Sequence, residues 1–224
     1  MCSCQSFAEN QTSNDYPVVP QNKLVVQNGV SFDLVTSQTC SGFMETDLSN
    51  FRSELSRIAL EISQQLDRLQ SEKIVFAESC TAGMIAATMG GVPGISRYLC
   101  GSAVTYREAT KTDWLGLSPE KIKGHTAEST QVAQDMAELV LQGTPEATLA
   151  LAITGHLGPE VDDAIDGTVF VAVFQRGSLE MKMIDNRQCR LKTLGRLERQ
   201  LESTLLALRC LSDNLQRISP ERPA

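Results

Sequence analysis

An apolar run, Ile74-Val75-Phe76-Ala77, stops at Glu78-Ser79-Cys80-Thr81-Ala82-Gly83, and Met84-Ile85-Ala86-Ala87 follows at once. The run reads as a short strand over 73–77, and the small residues read as a helix to about residue 90. A strand that turns directly into a helix places a hydroxyl, a thiol and free backbone N–H groups at one bend, beside a carboxylate. A nucleophile and an anion hole can be built from one such segment.

The rest of the chain alternates in the same way. Phe51, Leu55, Ile58, Ile62, Leu66 and Leu69 recur every three or four residues, which predicts a helix from about residue 47. Residues 98–106 read as a strand and 107–115 as a short helix. Ser129 is a plausible N-cap for a helix through Gln142. Residues 147–153 form a continuous apolar run, as in a buried strand. Residues 167–174 read as the next strand, and Arg176-Gly177-Ser178 turns it back into 179–184. Leucines at 191, 194, 197, 201, 205, 208, 211 and 215 predict a C-terminal helix. Helices interleaved with strands imply an α/β protein, a three-layer α/β/α sandwich on a mixed sheet whose last two strands are antiparallel.

Composition sets outer limits. A 224-residue chain with 42% apolar residues can bury one sizeable core, here an aliphatic one, since aromatics are 5%. The net charge of -7 argues against general nucleic-acid binding, which needs a basic face. No apolar run is long enough to span a membrane, and the start lacks the basic-then-apolar pattern of a secretory leader, so no leader is expected. Seven scattered cysteines and two histidines, His125 and His156, without a CxxC, read as reduced thiols of a cytoplasmic protein without a metal site. Residues 1–46 carry one basic residue, Lys23, and much Ser, Gln, Asn and Thr. They read as an N-terminal extension with a hairpin signal, Asn28-Gly29, inside 23–35. Residues 47–218 then form the domain, and 219–224 a tail.

Three strand ends carry small polar residues: Ser79-Cys80-Thr81, Thr105-Tyr106 and Thr154-Gly155. In open α/β sheets ligands bind at the carboxyl ends of strands, so a shared pocket is expected there. Any one end is also ordinary turn chemistry. Lys111 follows Tyr106 by five residues; Ser with Lys, helped by a Tyr hydroxyl, activates a nucleophile without histidine. Read by itself, Lys111 is more simply a solvated helix lysine. Cys80 is the stronger intrinsic nucleophile, or a buried packing residue. Glu78 suits a substrate amide or hydroxyl, or a helix N-terminus.

Ala77-Glu78-Ser79-Cys80-Thr81-Ala82-Gly83 resembles the AESCTGG signature of the CinA C-terminal domain family. Val104-Thr105-Tyr106 with Lys111 resembles its VTYSNEAK motif, and the run from Thr154 to Pro159 followed by Gly167-Thr168-Val169 resembles its TGIAGP…GTV segment. The resemblance covers roughly residues 48–215. It implies an α/β/α fold, no cofactor or metal, frequent dimers, and deamidation of nicotinamide mononucleotide to nicotinic acid mononucleotide and ammonia. Ser79 would be the nucleophile, with Tyr106 and Lys111 as its activating partners. Glu78, Thr81, Gly83, Thr105, Thr154, Gly155, Gly158 and Arg187 would bind substrate, and backbone N–H groups of residues 81–83 would hold the oxyanion. Arg187 sits where the family carries an arginine after its last strand. This sequence departs at Ala82, where the family has Gly, at Arg107, and at an acidic loop, 160–166, whose four carboxylates would repel a phosphate if it faced the pocket. His156 replaces an apolar residue. A homologue so altered could instead bind a nucleotide or a protein partner without turnover.

Overall fold

The computed structural model describes residues 41–158, 162 and 164–218, with side chains from Leu48 onward. The hairpin expected at 23–35, the tail, and Pro159, Glu160, Val161 and Asp163 of the acidic loop lie outside the described residues.

The elements are α1 (Ser41–Leu69), β1 (Ile74–Glu78), α2 (Met84–Gly90), β2 (Leu99–Val104), α3 (Glu108–Leu115), α4 (Pro119–His125), α5 (Thr130–Gln142), β3 (Leu149–Gly155), β4 (Thr168–Arg176), β5 (Met181–Arg190) and α6 (Arg196–Arg217), with one turn of 3₁₀ helix at Ile95–Arg97. The strands form one mixed sheet in the order β2-β1-β3-β4-β5. β2 and β3 flank β1 in parallel, and β4 and β5 run antiparallel.

Period-two alternation divides the core into two apolar layers. Ile74 and Phe76 of β1, Leu149, Leu151 and Ile153 of β3, and Val169, Val171 and Val173 of β4 pack with α1, α2 and α6. Their neighbours, Val75 and Ala77, Ala150 and Ala152, and Phe170, Ala172 and Phe174, pack with α4 and α5. Small residues on that second face let α5 approach the sheet closely. The expected three-layer sandwich is therefore the observed one.

Boundaries differ from the sequence pattern in three places. Helix α1 begins at Ser41, ahead of the periodic apolar stretch. Strand β5 runs to Arg190, beyond the apolar residues that announced it, because pairing with β4 continues through polar positions. Helix α6 starts at Arg196, so Leu191 and Leu194 precede it; Leu191 is buried but Leu194 is 87% exposed. The Glu202 carboxylate accepts the N–H groups of Lys192 and Thr193, holding that stretch as a loop. Helix α4 was not anticipated, although Ser118 caps it and Pro119 opens it. No helix among the described residues is long and apolar enough to cross a membrane.

The parallel register places the carboxyl ends of β2, β1 and β3 side by side. The three polar strand ends are thus neighbours.

Candidate active site

Ser79 leaves β1 with its N–H donating to the Ile153 carbonyl at 3.0 Å, so the turn stays anchored to β3. Its hydroxyl oxygen lies 2.9 Å from Lys111 Nζ, and both residues are buried. Helix α3 presents Lys111 here because the Thr110 hydroxyl accepts the Arg107 N–H and donates to the Arg107 carbonyl at its start, and Gly116, in the left-handed region, stops it. Burial lowers the Lys111 pKa, with nearby Glu128, Cys80 and Glu108 pulling the other way. A lysine that gives up its proton more easily beside a serine hydroxyl has the geometry that a nucleophile and its base require.

Cys80 packs into the core, and burial pushes its thiol up to about 12. Burial thus disfavours the thiolate that a cysteine nucleophile needs. Glu78 is not aimed at a ligand either. Its fully buried carboxylate accepts from Thr81 Oγ1 at 2.8 Å, Ser102 Oγ at 3.0 Å, and the N–H groups of Gly83, Ile85 and Ala86 at 3.0 Å each. It ties the N-terminus of α2 to β1 and β2, where the helix dipole favours an anion.

That arrangement corrects the expected oxyanion donors. Gly83 N–H is taken by Glu78, and Ala82 N–H by the Ser79 carbonyl at 3.0 Å. Among the described residues, no other residue accepts from the N–H groups of Cys80 and Thr81, which are the donors left at the bend. The Thr81 side chain is committed to Glu78. Ala82 holds φ +53, the left-handed conformation that glycine adopts freely.

The other strand ends close around this bend. Thr105 donates its N–H to the Glu78 carbonyl at 2.8 Å, and its buried hydroxyl has no hydrogen-bond partner among the described residues. Thr154 Oγ1 donates to the Ala127 carbonyl at 3.1 Å, fastening the α4–α5 loop. At Gly155 a Cβ would meet the Thr168 carbonyl oxygen at 2.6 Å, so only glycine lets β4 lie against this end of β3. Tyr106 is half exposed, and its hydroxyl accepts from Arg196 Nη2 instead of engaging Ser79 or Lys111. Arg196 also donates to the Gly158 carbonyl. Arg187 stands apart: it is paired with Asp185 at 2.7 Å and Asp213 at 2.9 Å on β5 and α6, so its charge is spent outside the site.

A cleft of about 110 Å³ lies between these ends. Ser79, Cys80, Tyr106, Gly155 and Leu157 line it, together with Glu128 and the exposed Arg196. Glu128 and Arg196 escaped sequence reasoning, as did Gln200, whose amide donates to the Cys80 carbonyl at 3.3 Å. Arg196 and Gln200 are four apart, a polar stripe on α6 that the leucine pattern leaves open. Nothing local marks Glu128. In the acidic loop Asp166 takes both Arg199 nitrogens at 2.6 and 2.7 Å, while the exposed Asp162 accepts from Ala164 N–H at 2.8 Å.

Residues 55–215 match the CinA C-terminal domain. The chain is 45% identical over 113 residues to a CinA-like protein of Flavobacterium psychrophilum, covering 48% of this chain and 27% of that protein. It is 46% identical over 91 residues to one from Mycobacterium tuberculosis, covering 41% and 21%. The chain thus spans about a quarter of the length of the curated relatives it matches. Among solved structures, it resembles competence/damage inducible protein CihA from Agrobacterium tumefaciens, with a TM-score of 0.65, 29% identity, and 73% of this chain and 96% of that one covered. A competence damage-inducible protein A from Klebsiella pneumoniae shares the fold at a TM-score of 0.66 and 23% identity, with 74% and 99% covered.

Proposed function

The chain belongs to the CinA C-terminal domain family, and on that premise we propose that it is an amidohydrolase that deamidates nicotinamide mononucleotide. The observation that carries the reading is the buried 2.9 Å contact between Lys111 Nζ and Ser79 Oγ at the carboxyl end of β1. In its neutral form the Lys111 amine takes the Ser79 proton as Oγ attacks the carboxamide carbon. The N–H groups of Cys80 and Thr81 receive the oxyanion. The proton held on Lys111 passes to the departing nitrogen, ammonia leaves, and an ester to Ser79 remains. Water, deprotonated by Lys111, attacks that ester; the carboxylate leaves and Ser79 recovers its proton.

The cleft, at about 110 Å³, is smaller than the roughly 300 Å³ of a typical ligand site. It accommodates the ring and carboxamide, and the ribose phosphate lies outside toward Arg196, which takes the role expected of Arg187. A homodimer, as the family resemblance implies, and a cytoplasmic location, as the scattered cysteines suggest, belong to the same proposal. The test is ammonia release from nicotinamide mononucleotide, abolished in Ser79→Ala and Lys111→Ala with unchanged circular dichroism. No release by the intact protein at high enzyme and substrate concentrations removes this substrate.

The engagement of Tyr106 by Arg196 favours a second reading, in which the site binds the nucleotide without turnover. Calorimetric binding with no ammonia release distinguishes it.

A further inference from the structure

We propose that Glu128 makes the cleft selective for carboxamides borne on a positively charged ring, an N-alkylated pyridinium in preference to its neutral, reduced counterpart. The substrate class rests on the hydrolase reading above; the charge selection is an addition to it.

Glu128 is placed by backbone geometry that a β-branched residue adopts only under constraint. Thr126, immediately before Ala127, holds φ +65 and ψ 154, and the Ala127 carbonyl is bound by Thr154. The next residue is thereby directed to the cleft, which it lines with Ser79. Its carboxylate differs from the others around the site. Glu78 accepts five hydrogen bonds, and Asp166 is paired with Arg199. Among the described residues, no donor hydrogen-bonds to the Glu128 side chain, which is 30% exposed. His156 Nε2 stands 3.8 Å away, beyond hydrogen-bond distance, 16% exposed and charged only when protonated. A partly desolvated carboxylate with empty acceptor positions gains most from a ligand that brings positive charge.

No neighbouring cation donates a hydrogen bond to it among the described residues. Lys111 Nζ is committed to the Ser79 hydroxyl at 2.9 Å. Arg196 is engaged by Gly158 and Tyr106. The cleft is therefore negative at Glu128 and positive at Arg196, a polarity suited to a ligand with a cationic ring and an anionic tail. A cationic ring also withdraws electrons from the carbonyl attached to it, so choosing the charged form chooses the amide more open to attack by Ser79.

Ser79→Ala protein, titrated calorimetrically with nicotinamide mononucleotide and with its reduced dihydropyridine form, tests this. The two share the carboxamide and the phosphate and differ in ring charge. The charged form is expected to bind about 10-fold more tightly. Glu128→Gln, added to Ser79→Ala, brings the two affinities to within about 2-fold by weakening the charged form alone. Glu128→Asp, which keeps the charge on a shorter arm, retains part of the preference and serves if the amide variant folds poorly. Equal affinities before the change, binding of neither form, a preference that survives Glu128→Gln, or equal weakening of both forms overturns the proposal. Charge-selective binding without ammonia release would remove the hydrolase reading and leave this one standing; ammonia release without charge selection would do the reverse.

Discussion

Lys111 is buried where a lysine is poorly suited for stability and well suited for chemistry. Its folded-state pKa lies below the ordinary lysine value because burial disfavours the ammonium. Between the two values the unfolded chain binds the extra proton, so this group makes stability climb as pH rises through that window. Lys111→Met is therefore expected to gain on the order of 1 kcal/mol at pH 7 in urea unfolding while ammonia release disappears; a marked loss of stability would contradict the burial argument. With the neutral Lys111 amine as the proposed base, activity should rise with pH through its lowered pKa, and Lys111→Arg, always charged, should lose about a thousandfold. Ala82 gives a second prediction. At φ +53 its Cβ is strained, and Ala82→Gly should add about 0.5 to 1 kcal/mol in the same assay; unchanged stability would place the strain elsewhere. Ser79 was legible because it stands at a strand end; Lys111, inside α3, reads by itself as a solvated lysine, and the family resemblance is what paired the two. Glu128 was not legible, because it enters through the twist at Thr126, which no residue type there announces.

At the scale of elements, α2 is seven residues long and too short to persist by itself. Gly83 at its N-cap has no side chain with which to cap it, so the Glu78 carboxylate supplies the acceptors. Glu78→Gln would turn an amide N–H₂ toward these donors and should cost about 2 to 4 kcal/mol, read as a lowered urea midpoint. If Glu78 served substrate instead, stability would hold and KM alone would rise. A sequence shows a carboxylate next to a serine but not which way it faces, and that explains the misplaced role. Strands and long helices were legible because their apolar residues repeat with a period. Helix α4, with Ile122 as its one buried position, has no period to read and rests on its cap. The start of α6 was blurred for the opposite reason: Leu191 and Leu194 continue the leucine spacing by coincidence, outside the helix.

Across the whole molecule, the last edge of the sheet is held to α6 by charge as well as by packing. Burial alone would raise the Asp185 pKa, but hydrogen bonds from Arg187 and Asn214 outweigh it and hold the carboxyl at about 2. Arg187, raised in turn chiefly by its bond to Asp185, also reaches Asp213 on α6, and Asn214 completes the link at 2.8 Å. The residue first assigned to substrate is thus a rivet between layers, legible only once the fold brings 185, 187, 213 and 214 together. A carboxyl held below its unfolded value stabilises the fold above that value, and the contribution disappears as pH falls through the folded one. The difference corresponds to on the order of 2 kcal/mol, present above about pH 4 and lost by about pH 2. Asp185→Asn should therefore lower stability by about that amount at pH 7 and flatten the acid limb of a urea-midpoint profile below pH 4. Parallel acid limbs for the two proteins would show that acid sensitivity resides in other carboxylates. The site is built on β1, β2 and β3, and this rivet joins β5 to α6, so ammonia release at pH 7 should change far less than the midpoint.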